Sequence, residues 1–240
     1  NDGFANLPYI YPGIDFGFKI NEDLRLYSNI GYTYRIPTYT DLFYSSPTTQ
    51  GNEDLIYEKA VTSEFGIKYY KNNFNLNCSI YQRNATDVID YVRNDLEELW
   101  EANNIREIIT NGFELNLSYQ FYLGEFNKHH INLGYSNIDD NLKETEFAYS
   151  RYALNSLEHQ ITTTYSFDIN DQINTTIAYK NAKRIDRDNY TVIDLRTSYN
   201  LNQLSFSIIL NNLLDTNYSE TNLVPMPGFS SLLGIKYSLN

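Results

Sequence analysis

The side chains best able to do chemistry are few and scattered. His129-His130 sits at an expected turn and His159 on an expected strand near a loop, and neither has a cysteine or a spaced carboxylate set nearby to complete a metal site. Asp186-Arg187-Asp188-Asn189 has calcium-loop residue types but lacks the glycine and distal glutamate of such a loop. Glu97-Glu98 reads as a solvated loop face, not a catalytic carboxylate pair. Cys78 is the single cysteine, which rules out an intrachain disulfide, and it falls on an apolar face where a small thiol packs as a hydrophobe. These residues predict no catalytic site, no metal site and no cofactor, and so no enzyme. A net charge of −12 argues against a nucleic-acid partner.

What remains is recognition chemistry. Tyr39, Phe43, Tyr44, Trp100, Tyr149 and Arg151 fall in expected loops, where aromatic rings and a guanidinium could anchor an apolar, hydrogen-bonding ligand. A second set, Arg25, Arg35, Glu64, Lys68, Arg83, Glu114, Asp194 and Arg196, falls on the polar face of expected strands.

The elements that carry these residues are strands. In Gly112–Phe121, Phe113, Leu115, Leu117, Tyr119 and Phe121 alternate with Glu114, Asn116, Ser118 and Gln120, giving one apolar and one polar face over the length a tilted strand needs to cross a bilayer. The same alternation recurs along the chain, for example at Ile14–Ile20, Leu24–Tyr34, Phe65–Tyr69, Phe74–Ile80, Leu157–Phe167 and Leu204–Leu210. About eleven strands result. Short Asn/Asp turns such as Asn21-Glu22-Asp23, Lys71-Asn72-Asn73 and Leu201-Asn202 alternate with long connections at Ile36–Tyr57, Asp95–Asn103, Asp139–Tyr149, Arg184–Asn189 and Asn212–Pro227. The strand that contains Gly112–Phe121 is expected to run from about Ile105 to Phe121, and Asn1–Pro12 to form a leading loop.

The 23 Tyr suit strands with a wet end and an apolar middle, and apolar runs of only three residues exclude a membrane-spanning helix. Long loops all on one side predict an all-β, antiparallel, up-and-down transmembrane barrel wall, in preference to a soluble sandwich with mixed loop lengths. An odd strand count and two open edges in lipid predict that residues 1–240 are one portion of a larger barrel, the alternative being a strand miscounted between Ile80 and Asn111. The start Asn1-Asp2-Gly3 has no leader character, which fits a mature form or a fragment.

An ordered set of motifs resembles TonB-dependent outer-membrane transporters. It runs through Tyr34-Arg35-Ile36-Pro37-Thr38, Asp41-Leu42-Phe43, Gly51-Asn52-Glu53-Asp54-Leu55, Glu58 and Ser63-Glu64-Phe65-Gly66. It continues at Tyr81–Asn84, Ile89–Tyr91, Asn111–Glu114 and Leu157–His159, and closes with Asn212–Tyr218, Pro227-Gly228 and Gly234–Tyr237. Spacing and loop lengths are most similar to the vitamin B12 transporters. The chain departs from the family at Tyr57, where Pro is usual, at Phe229, where Arg follows Pro-Gly, and at Leu239-Asn240, where the family ends in Phe.

The resemblance implies a 22-stranded barrel, of which this chain is roughly strands 12 to 22, with an N-terminal plug domain upstream. It implies active import of a scarce large nutrient, a corrinoid or a siderophore, bound by extracellular loops, passed through the lumen and released by the TonB complex. The loop set above would then touch substrate, and the polar-face set would line the lumen and pair with the plug. Implied partners are the lipid bilayer of a Gram-negative outer membrane, the N-terminal barrel half, the plug, TonB and a surface lipoprotein. A passive porin-like channel or a structural adhesion barrel is the alternative from the same fold, and a soluble binding domain the third.

Overall fold

The computed structural model describes residues 10–124, 127–143, 147–151, 157–185, 187–220 and 224–238. The elements in chain order are β1 (Gly13–Lys19), β2 (Leu24–Arg35), α1 (Tyr39–Phe43), β3 (Ser45–Ser46), β4 (Thr49–Gln50), β5 (Glu58–Lys71), β6 (Phe74–Arg93) and β7 (Trp100–Leu123). They continue with β8 (Asn127–Lys143), β9 (Tyr149–Ser150), β10 (Leu157–Asn170), β11 (Ile173–Arg184), β12 (Tyr190–Leu201), β13 (Leu204–Asn211) and β14 (Ser230–Tyr237). Eleven of them form one meander in the order β1-β2-β5-β6-β7-β8-β10-β11-β12-β13-β14, every neighbour antiparallel. The sheet is an open arc, as the strand count anticipates.

The short turns follow from asparagine chemistry. Asn72 (φ 51°) and Asn202 (φ 52°) take the left-handed conformation that asparagine tolerates, between the paired ends Lys71/Phe74 and Leu201/Leu204. Elsewhere the side chain closes the turn: Asn21 Oδ1 accepts the Asp23 and Leu24 N–H groups, and Asn170 Oδ1 those of Gln172 and Ile173, all at 2.9 Å.

No second layer covers the sheet among the described residues, and its apolar face stays open. Phe16 and Phe18 on β1 and Leu233 and Ile235 on β14 are among its most exposed side chains, and Phe65 and Ile80 in mid-sheet are nearly half exposed or more. A soluble sandwich would bury these rings, and a wall in lipid leaves them outward. The buried apolar residues instead gather in small clusters toward the long-loop end. One comprises Ala60, Ala85, Val88, Val92, Ile105 and Ile108 with Phe147 against it, and another Leu55, Ile89 and Ala102 with Leu42 and Tyr91.

Several expectations need correction. β7 begins at Trp100, not near Ile105, because pairing with β6 persists to Val92–Glu101, so Trp100 opens a strand and does not sit in a loop. β8 runs through Asp139 and Asp140 to Lys143, where a polar loop was expected, because it stays paired with β7 beyond the apolar band. His129-His130 lies within β8, not at a turn. The Ile36–Tyr57 loop contains α1 and the β3–β4 hairpin. Asn1–Tyr9 of the expected leading loop, Asp186 and Leu239-Asn240 lie outside the described residues.

Candidate functional site at the long-loop end

The β6–β7 ribbon projects beyond the apolar band and becomes the frame of the site. Asp87, at φ 56°, interrupts the strand alternation, and past it Val88, Ile89, Asp90 and Val92 are all buried because other segments cover both sides of the ribbon. One cover is the segment containing α1, β3 and β4. The other is the segment around β9, which pairs with β6 through Val92–Ser150 and Arg93–Tyr149.

The two covers meet at Trp100. The Arg93 guanidinium lies over the indole at 4.3 Å and the Arg151 guanidinium at 4.8 Å. Arg93 also faces Tyr149 at 5.7 Å and Arg151 faces Tyr91 at 5.2 Å. These distances are within the range at which ring and cation attract. Hydrogen bonds fix the stack from three sides. Arg151 Nη2 donates to Thr49 Oγ1 at 3.1 Å, the Trp100 N–H to the Thr48 carbonyl at 3.0 Å, and Arg93 Nη1 to the Leu96 carbonyl at 2.7 Å. Ser150 Oγ donates to Asp90 Oδ2, and the Ala148 N–H to Asn94 Oδ1 at 3.2 Å. Glu98 is used structurally, its carboxylate accepting the Asn94 and Asp95 N–H groups at 2.9 and 3.2 Å.

The α1 segment is anchored separately. Thr38 and Asp41 form a reciprocal capping box that starts the helix. Asp41 also bonds Arg35 Nη1 at 3.1 Å and accepts from the Tyr91 hydroxyl at 3.3 Å. Arg35 Nη2 reaches Glu58 Oε1 at 2.7 Å, and the same oxygen accepts the Ile89 N–H at 2.7 Å. Burial works to raise the Asp41 carboxyl, but its bonds to Thr38 and the Arg35 charge outweigh burial and hold it below the ordinary carboxylate value. The Gly51 position admits no side chain: a Cβ there would lie 2.8 Å from the Asp41 carbonyl oxygen. On this anchored helix Tyr39 and Phe43 pack together at 4.9 Å and stay exposed, as does Tyr44.

The structure therefore brings Trp100, Tyr149 and Arg151 into one stack, groups Tyr39 with Phe43 on α1, and leaves Tyr44 exposed at the end of that helix. Arg93 and Tyr91, which were not singled out from the sequence, complete the stack. Their signal was absent because it depends on β9 pairing with β6 across a long chain separation.

On the strands, the second set shares one face with its neighbours. Arg25 is paired with Lys68, Thr62 with Arg83, Ser79 with Glu114, Ala178 with Asp194 and Thr176 with Arg196. Glu64 accepts from the Tyr27 hydroxyl at 3.0 Å and from Asn29 Nδ2 at 2.9 Å, and Lys68 Nζ lies 4.7 Å over the Tyr27 ring. Asp194 accepts the Asn212 N–H at 2.7 Å, tying the loop after β13 to the wall. That Tyr27 ring lies flat over Gly66, and the Tyr81 ring over Gly112, so closely that an added Cβ would meet ring atoms at 2.3 and 2.0 Å. The histidines have local partners: His129 Nδ1 is 2.7 Å from the Tyr165 hydroxyl and His130 Nε2 is 2.9 Å from Ser118 Oγ. Among the described residues no three His, Cys, Asp or Glu side chains gather as a metal site.

This architecture has relatives. A family model described as the TonB dependent receptor-like β-barrel matches residues 3–213. The vitamin B12 transporter BtuB of Vibrio vulnificus is 21% identical over 215 residues, which are 85% of this chain and 32% of that protein. The siderophore receptor PirA of Acinetobacter baumannii superposes with a TM-score of 0.71 at 18% identity, over 95% of this chain and 41% of that one. The copper transporter OprC gives 0.70 at 18% identity over 95% and 39%. The chain thus spans about a third of the curated relative and about two fifths of these structures. Its strand meander, its residues 3–213 and its likeness to these walls place it in the TonB-dependent receptor family, as part of the β-barrel.

Proposed function

We propose that the protein to which this wall belongs imports a scarce, large nutrient across the outer membrane of a Gram-negative bacterium, with TonB supplying the coupling. The cargo class is a corrinoid or a siderophore, and the protein is a receptor and transporter, not an enzyme. In this reading the Asn turns are periplasmic and the Trp100 stack and α1 are extracellular. Tyr39, Phe43 and Tyr44 offer exposed rings to the cargo, and Trp100, Tyr149 and Arg151 border them. The set from Arg25 to Arg196 faces the lumen and pairs with a plug domain, residues 1–240 forming the C-terminal portion of the barrel. A surface lipoprotein is a further partner of the loops. The observation that carries the reading is the asymmetry of the sheet: tight turns at one end, and at the other a braced aromatic and cationic surface on strands too long for a bilayer.

The test is uptake by cells making the full-length receptor, with cyanocobalamin and a ferric siderophore as probes, in the presence and absence of TonB. Accumulation that needs TonB is expected. Equal entry without TonB would replace the transporter with a passive channel, and binding of neither probe would remove both cargo classes.

A further inference from the structure

The polar face of the wall carries its charges in patches, among them Arg83 on β6, Glu114 on β7 and Asp194 and Arg196 on β12. On β1, β2 and β5 it carries Asp15, Lys19, Arg25, Glu64 and Lys68. Across β6, β7, β8 and β10 the register instead aligns Asn77, Asn116, Gly134 and Thr162 in one row, with Ser118 and Asn132 in the next. Glu114 marks the upper border of this neutral strip. The strip floors an open hollow of about 320 Å³, and at Gly134 in its lining a Cβ would lie 2.7 Å from Thr162 Oγ1 and 3.5 Å from Asn116 Oδ1.

Charges on a hydrated barrel interior cost little, so folding does not require their absence from the rows between Glu114 and His130. Amides and hydroxyls offer donors and acceptors that any polar solute can exchange, one after another, without a deep minimum. Passage needs that balance: contacts good enough to enter and weak enough to leave. A solute bearing a charge on its contacting face would find no counter-charge in the strip and would be drawn to the charged strands on either side of it, β1–β5 or β12.

Resting on the transport reading above, we infer that the strip on β6, β7, β8 and β10 is the lane along which the cargo crosses the barrel. The cargo meets it with an uncharged surface of hydroxyl and amide groups. An element held permanently in the barrel is the competing occupant, and it would keep the strip covered whether or not the cell is energised.

The experiment uses the full-length receptor in cells, in a Cys78→Ser background, with single cysteines at Thr162 and Asn116 in the lane and at Thr62 on the charged side. A small methanethiosulfonate reagent is added from outside, with and without energy coupling. Labelling of T162C and N116C should rise about tenfold on energisation, a population shift of that order, while T62C changes less than about twofold. A rise at T62C equal to or larger than that in the lane, or lane labelling indifferent to energy, would overturn the inference. In parallel, Thr162→Asp and Asn116→Asp should lower cyanocobalamin uptake without changing its binding at the surface, whereas Thr62→Asp should not. Wild-type cells that take up no cyanocobalamin would count against the proposed cargo alone, since the labelling arm still decides the lane.

Discussion

Trp100 is the residue on which three otherwise separate segments converge, and Trp100→Ala is the most informative single change. The substitution removes the ring that two guanidinium groups contact, at 4.3 and 4.8 Å, and leaves two like charges near each other without it. Each ring–cation contact is worth ~0.5–2 kcal/mol, and a combined loss of about 2 kcal/mol raises the open population roughly 30-fold. Opening exposes Arg93 and Arg151, both trypsin sites. In intact cells, where only outward segments meet the protease, cleavage that is slow relative to reclosing tracks the open population. Trypsin should therefore cut W100A after Arg93 and Arg151 about 30 times faster than wild type, and Trp100→Phe, which keeps a smaller ring, should fall between. Cleavage of W100A at the wild-type rate would refute the idea that this stack braces the loops.

Other perturbations probe the wall and its anchor. Gly112→Ala should destabilise the barrel by ~1–3 kcal/mol through collision with the Tyr81 ring, read as a lower midpoint in urea, and Tyr81→Ser in the same chain should restore it. Leu115→Lys places a charge on the apolar face at a cost of ~2–4 kcal/mol near the bilayer midplane, whereas Glu114→Gln next to it should fold normally; equal effects would invert the two faces. The Asp41 carboxyl has a folded-state value below its unfolded one, so its contribution is complete above the ordinary carboxylate range and disappears as pH falls through the depressed value. Protection of the 38–56 segment from an acid-active protease should thus weaken only below that range, and Asp41→Asn should abolish the dependence.

The fold was legible where a strand has one wet and one dry face. Phe113–Phe121 announced itself through period two, and its neighbours followed. The signal vanished past the apolar band, where the surroundings no longer alternate. Ala102 and Ile105 are buried beneath covering loops, while Asp139 to Lys143 continues a strand whose composition is mostly polar. Trp100 was thus assigned to a loop although it starts β7. Side-chain type was enough to select Trp100, Tyr149 and Arg151, but not to show that they touch, because their meeting depends on the β6–β9 pairing. Arg93 has no distinguishing local pattern, and Asp41 stands out only as part of the Asp41-Leu42-Phe43 motif, which does not show that it bonds Arg35 and Tyr91.

The length of the β6–β7 ribbon has a mechanical consequence. At ~3.4 Å per residue, the 24 residues of β7 extend about 80 Å, and about ten of them suffice to cross a bilayer. The Trp100 stack thus stands on the same hydrogen-bonded strands that form the wall, which hold it stiffly, while α1 and β9 lie on the segments that cover the ribbon.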